Sequence, residues 1–296
     1  MGKPTQLRRG SVQCFSPDGI HTMAYKDWGD PANPNVLLCV HGHVRISDDF
    51  DVLAEELSSQ FRVICPDVVG RGKSSYLRNP QYYQISQYVR DMVTLLARVN
   101  AENVAFLGTS MGGLIGIELA ALQDSPVHKL IINDIGPLLA TTAINRVRQY
   151  IGQPKRFSTL EEGIEFVRTT TATFGQHTEA EWHKLCTDVL RQDKDGAWIW
   201  HYDVKLVMMI ISSFQGINPE LAHATQLLMW ASYDAIHCPT LLLRGTSSDM
   251  LPASMALDMT RRGPKAQLVE FANVGHAPTL VHADQINVVK AFLNGD

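Results

Sequence analysis

The stretch "VAFLGTSMGGLIGIEL", residues 104–119, decides the fold. An apolar run reaches Gly108, Ser110 stands between Gly108 and the pair Gly112–Gly113, and a second apolar run follows. Two readings fit this pattern. Glycines allow the backbones of a strand and a helix to come close at a tight turn. The same sharp strand-to-helix turn lifts a serine hydroxyl clear of a sheet and exposes it as a nucleophile. A helix starting there also aims its free N–H groups and positive dipole end at that point.

Short apolar, β-branched runs alternate with amphipathic stretches on both sides of this turn. "HTMAYKDWG", "NVLLCVHG", "FRVICPDV", "NVAFLG" and "KLIINDIG" read as strands, the later ones apolar enough to be buried on both faces of a parallel sheet. "DDFDVLAEELSSQ", with Ser47 or Asp48 as its cap, and "YQISQYVRDMVTLLARVN" carry apolar residues at helical spacing, and "GGLIGIELAALQ" continues the series. Near Gly136–Pro137 the rhythm breaks, and residues 138 to about 232 read as helical patterns rich in Trp, Met, Phe and Thr. It returns with "CPTLLLRG", a helix near 253–262, "AQLVEFANVGH" and a closing helix "ADQINVVKAFLNG". The expectation is an α/β fold: a mostly parallel sheet with helices on both faces, built from residues 1–137 and 233–296. Residues 138–232 form a helical insertion in it.

Composition narrows the function classes. A length of 296 residues buries one sizeable core with room for an insertion. The formal charge of −4, without any Lys- or Arg-rich run, speaks against a nucleic-acid partner. No apolar run approaches the roughly 18 residues of a membrane span. "MGKPTQLRRG" is followed by no apolar region, so no signal peptide is expected, and Gln6 breaks the myristoylation pattern. The five cysteines are scattered without zinc-like spacing, which points to a reducing, cytoplasmic setting. The eleven histidines show no ligand spacing, so no metal is expected, and no cofactor is implied. A homodimer stays open as an assembly.

A serine hydroxyl is a poor nucleophile at neutral pH unless a base takes its proton and a third group orients that base. His276 in "FANVGHAPTL" follows the last strand-like run, and Asp249 in "LLLRGTSSDMLP" follows the one before it. Alone, the histidine reads as a surface or packing residue and the aspartate as a turn or helix cap. Together with Ser110 they lie after three separate strands, in the order Ser, Asp, His, on the sheet edge where open α/β folds bind ligands. Gly42 in "CVHGHV" puts the backbone N–H of His43 near the same mouth, and the N–H of Met111 comes directly after the serine. Two such donors are what an oxyanion requires.

These motifs resemble the α/β-hydrolase family, in a form with a helical cap inserted after the sixth core strand. "VHGH" is similar to its oxyanion loop, "DVVGRGKS" to its Asp-to-Ser loop, "GTSMGG" to its nucleophile elbow, "RGTSSDMLP" to its acid loop and "VGHAP" to its histidine loop. The resemblance implies Ser110 as nucleophile, His276 as base and Asp249 as orienting acid, with the N–H groups of His43 and Met111 as the oxyanion hole. Some relatives place the acid at the position of Asp134 in "INDIGP", which makes Asp134 the alternative. His41 is expected to brace the oxyanion loop, and Asp67 with Ser74 to tie their own loop. The His43 side chain either faces the substrate or turns away. Arg45 and the cap residues Trp182, Trp200 and Met208 are the candidates for the substrate pocket.

The expected reaction is hydrolysis of carboxylic esters of small to medium acyl chains, lactones included, with a small-molecule ester as partner. Enzymes that hydrolyse carbon–carbon bonds in ring-cleavage products also carry "SMGG", but usually with Trp after the Gly-His pair, where this chain has Ala277. A non-catalytic receptor on the same fold is the reading from a different class. "GRGKSS" is no phosphate loop, because the pattern needs glycine where Asp67 stands.

Overall fold

A computed structural model describes residues 6–137, 155–206 and 219–295. In chain order it contains β1 (Leu7–Ser16), β2 (Gly19–Trp28), β3 (Val36–Val40), α1 (Asp51–Leu57), β4 (Arg62–Pro66), α2 (Ile85–Val99), β5 (Val104–Thr109), α3 (Met111–Ala120) and β6 (Val127–Asn133). These are followed by β7 (Arg156–Phe157), α4 (Leu160–Thr170), α5 (Glu179–Thr187), β8 (Leu190–Gln192), β9 (Trp198–Trp200) and α6 (Pro219–Asp234). The chain closes with β10 (Thr240–Gly245), α7 (Ala253–Met259), β11 (Gln267–Phe271) and α8 (Ala283–Asn294).

Eight strands form one sheet in the order β1-β2-β4-β3-β5-β6-β10-β11. The β1–β2 and β2–β4 pairs are antiparallel and the rest parallel. The apolar runs are continuous because successive side chains serve opposite faces. In β3, Val36, Leu38 and Val40 enter one core, and Leu37 and Cys39 the other. Met92 and Leu95 of α2 and Ile115, Ile117 and Leu119 of α3 cover the first face. Leu53 and Leu57 of α1 and Val289 and Phe292 of α8 cover the second. In α3 every residue except Leu114 and Glu118 is buried, since the helix is packed on nearly all sides.

Three expectations need correction. The antiparallel hairpin opens with β1, which the sequence reading passed over although Val12, Cys14 and Ser16 alternate inward. Helix α1 is preceded by a 3-10 turn at Ser47–Phe50 and begins at Asp51 without a side-chain cap; Asp48 instead pairs with Lys26 Nζ at 3.1 Å. The segment between β6 and β10 is not purely helical. Strands β7, β9 and β8 make a small antiparallel sheet there, each too short to show alternation in sequence.

The topology positions the site. The chain leaves β3 toward β4 on one side and returns to β5 on the other, so the loops after the carboxyl ends of β3 and β5 face each other. Such reversals open the crevice where α/β sheets bind ligands.

Candidate active site

Ser110 sits at the turn between β5 and α3 with φ 55° and ψ −117°. Positive φ is uncommon for a residue with a side chain, and a strained position of this kind costs of order 1–3 kcal/mol. The surroundings hold it. Ser110 N–H donates to Asn133 O at 2.9 Å, and its own carbonyl accepts from Gly113 N–H at 2.8 Å. A Cβ on Gly108 would lie 2.2 Å from the Gly112 backbone, and one on Gly112 would lie 2.0 Å from Val40 O. Packing therefore demands these glycines, as the first reading of this turn expects.

His276, beyond β11, places Nε2 2.9 Å from Ser110 Oγ and Nδ1 2.8 Å from Asp134 Oδ2. A carboxylate only accepts, so Nδ1 carries the proton and Nε2 is left to accept from the serine hydroxyl. The expectation that Asp249 orients the histidine is corrected, because the carboxylate on Nδ1 is that of Asp134, the alternative at the end of β6. Asp134 is fully buried. Its Oδ1 accepts from Gly245 N–H at 3.0 Å, and its Oδ2 accepts from Ser248 Oγ at 2.6 Å. The loop after β10 thus contributes Ser248, the neighbour of Asp249, as a donor to the Asp134 carboxylate. Asn133 is a further residue that sequence reasoning missed. Its Nδ2 donates to Thr109 Oγ1 at 3.0 Å and to Pro278 O at 2.8 Å, tying the histidine loop to the serine turn.

On the other side of Ser110 lies the loop after β3. A Cβ on Gly42 would stand 3.7 Å from Ser110 Cβ, so the two loops touch. Arg45 N–H closes a turn onto Gly42 O at 3.2 Å, with His43 inside it. His41 fixes the loop from below: Val68 N–H donates to its Nε2 at 3.0 Å, which leaves Nδ1–H to donate to Gly42 O at 2.7 Å. Burial pushes the His41 imidazole down to about 4, so it is neutral at physiological pH. The N–H of Met111, the first residue of α3, has no acceptor within its own helix. Asp67 and Ser74 tie their loop as expected: Asp67 accepts from Ser47 N–H and Lys73 N–H, each at 2.9 Å, and Ser74 Oγ donates to Asp67 O.

The pocket candidates divide differently. Arg45 is buried and committed elsewhere, with Nη2 2.6 Å from Asp49 Oδ1 and 2.9 Å from Leu185 O, which fastens the insertion to the core. That corrects its assignment as a substrate contact. Trp182 is buried against His177, ring centroids 5.0 Å apart, and Trp200 against Phe166 and Tyr202 at 5.9 and 5.5 Å. Both pack inside the insertion. Met208 lies outside the described residues. Among the described residues one buried group, Cys14, His21 and Asp91, has a metal-like composition. There the Asp91 carboxylate is engaged by His21 Nε2 at 3.0 Å and Gln87 Nε2 at 2.8 Å, a hydrogen-bonded core network.

The family model for the alpha/beta hydrolase fold matches residues 35–283. The chain belongs to the α/β-hydrolase family. Among its relatives, a 3-hydroxybutyrate-oligomer hydrolase of Cupriavidus necator is 47% identical over 97% of this chain and 98% of that one. A pimeloyl-[acyl-carrier protein] methyl ester esterase of Aliivibrio salmonicida is 24% identical over 87% of this chain and 91% of its own. The crystal structure of an α/β hydrolase from Novosphingobium aromaticivorans matches with a TM-score of 0.82 at 31% identity, covering 97% and 98% of the two chains. Within this α/β hydrolase, no helix of the described residues is long and apolar enough to cross a membrane.

Proposed function

We propose that this hydrolase cleaves carboxylic esters through Ser110, His276 and Asp134, and that its substrates are short hydroxyacyl oligoesters of the kind its Cupriavidus necator relative is named for. The observation that carries the reading is the continuous chain from Ser110 Oγ through His276 to the buried Asp134 carboxylate, at 2.9 and 2.8 Å. The identity of 47% along nearly the whole of both chains supports the substrate class.

In this mechanism His276 Nε2 takes the hydroxyl proton as Ser110 Oγ bonds to the ester carbonyl carbon. The carbonyl electrons move onto oxygen, where the N–H groups of His43 and Met111 hold the charge. One such donor is worth about 2.7–4 kcal/mol in the transition state. The imidazolium then gives its proton to the departing alkoxide, and the acyl group stays on Ser110. Water, deprotonated by the same Nε2, attacks the acyl-enzyme and releases the acid. Asp134 stays ionised throughout and keeps the Nδ1 proton in place. The five cysteines are free thiols, which fits the reducing, cytoplasmic setting expected for the chain.

The test is steady-state hydrolysis of p-nitrophenyl butyrate and of linear 3-hydroxybutyrate oligomers by the native protein and by Ser110→Ala. The native protein should turn over both, and the variant should lose up to about 10⁶ in kcat. Equal inertness of the two proteins on every ester would overturn the reading and return the carbon–carbon hydrolase and the ligand receptor to the front.

A further inference from the structure

Two histidines flank Gly42, and they are bound very differently. Both ring nitrogens of His41 have partners. His43 has one. Arg71 Nη2 lies 3.2 Å from His43 Nδ1, and Arg71 Nε donates to the His43 carbonyl at 2.8 Å. A guanidinium has only donors, so Nδ1 is the acceptor and the proton of the neutral ring stands on Nε2. That Nε2 atom is buried and, among the described residues, has no hydrogen-bond partner. Burial, with Arg71 adding to it, keeps the imidazole well below its ordinary pKa, so the ring stays neutral and the tautomer stays fixed.

Arg71 itself is fully buried. Its other partners are neutral: Val69 O and Tyr88 Oη at 2.8 and 2.9 Å, and Met111 Sδ at 3.2 Å. Among the described residues no carboxylate pairs with it. A buried cation thus braces one edge of the His43 ring and reaches the residue after the nucleophile, while the opposite edge offers an unanswered N–H. Arg8 Nη1, His21 Nδ1, Trp28 Nε1 and Asn133 Oδ1 are buried without partners among the described residues too, but His43 stands in the loop that touches Ser110, where an acceptor can arrive with the ligand.

We propose that His43 Nε2–H is a specificity determinant: it donates to a substrate oxygen outside the ester being cleaved, so that chains bearing a hydroxyl or carboxylate are preferred over plain alkyl chains. Arg71 is the positioning residue that fixes the tautomer and polarises the donor. The inference rests on the ester-hydrolase reading and adds the group that recognises the oxygenated chain. A 3-hydroxyacyl oligomer carries such oxygens on both sides of each scissile bond, and two substrate pairs separate the sides. The first is p-nitrophenyl 3-hydroxybutyrate against p-nitrophenyl butyrate, which differ by an acyl-side hydroxyl. The second is 3-butyryloxybutyrate against sec-butyl butyrate, which differ by an alcohol-side carboxylate.

For His43→Leu the kcat/KM ratio of oxygenated to plain ester should fall about tenfold or more in at least one pair. His43→Gln, which keeps an N–H at similar reach, should retain most of the ratio. Ratios within twofold of native in both pairs, in a His43→Leu protein that melts as the native one does, would overturn the proposal. A second measurement needs neither turnover nor a change at His43. In ¹⁵N-histidine-labelled Ser110→Ala protein, the linear 3-hydroxybutyrate dimer should move the His43 Nε2 resonance and ethyl butyrate should not. A moved resonance in a protein whose native form cleaves no ester would sink the ester reading and keep this contact. Full ester turnover with a resonance indifferent to the dimer would do the reverse.

Discussion

The ends of β6 and β10 invite comparison. The two strands are hydrogen-bonded neighbours, each runs out at the same edge of the sheet, and each is followed by an aspartate. Asp134 comes immediately after β6, is fully buried, and has backbone and hydroxyl donors arranged around it. Asp249 comes four residues beyond Gly245, is half-buried, and stands next to the serine that serves the other carboxylate. What separates them is burial and the contact with His276. A carboxylate taken out of water has to be answered by donors, and Gly245 N–H, Ser248 Oγ and His276 Nδ1 converge on Asp134.

The largest effect that would break this comparison is at Asp134 itself. Asp134→Asn should lower kcat on p-nitrophenyl butyrate by about 10⁴-fold, because the amide favours the wrong imidazole tautomer. Ser248→Ala sharpens the comparison, since it removes only a donor supplied from the β10 side. A hydrogen bond to a charged group is worth about 1.5–3 kcal/mol, so kcat should fall on the order of ten- to a hundredfold. Acidification requires fold and site to be kept apart. His41 is depressed to about 4 in the folded chain against 6.5 for the free group, so between those values the unfolded chain holds the extra proton. Stability therefore falls as pH drops, by on the order of 2 kcal/mol from pH 7 to 5, with His43 adding in the same direction. Urea midpoints at the two pH values measure it, and a midpoint that rises on acidification would contradict the assignment. The smallest effect is at Asp249: Asp249→Asn should leave kcat within about threefold of native.

The sequence carried much of this. Parallel strands buried on both faces announce themselves as continuous apolar runs, and glycines around Ser110 mark a turn that nothing bulkier could make. Which carboxylate meets His276 was not legible in the same way. Adjacent parallel strands end together, so sequence order alone does not separate two aspartates, and only the contact of His276 Nδ1 with Asp134 tells them apart. Arg45 misled for a related reason. A cation near the mouth reads as an anion receptor until Asp49, four residues on, is seen to hold it. The short strands β7, β8 and β9 escaped notice because two or three residues give no period to read.

The most direct measurement of the central claim reads the hydrogen bond between His276 and its acid without any substrate. The low-field proton resonance of His276 Nδ1–H, assigned by its loss in His276→Ala, should persist in Asp249→Asn and disappear or move strongly upfield in Asp134→Asn. A resonance that survives in Asp134→Asn and is lost in Asp249→Asn would contradict the account and return the acid to the loop after β10.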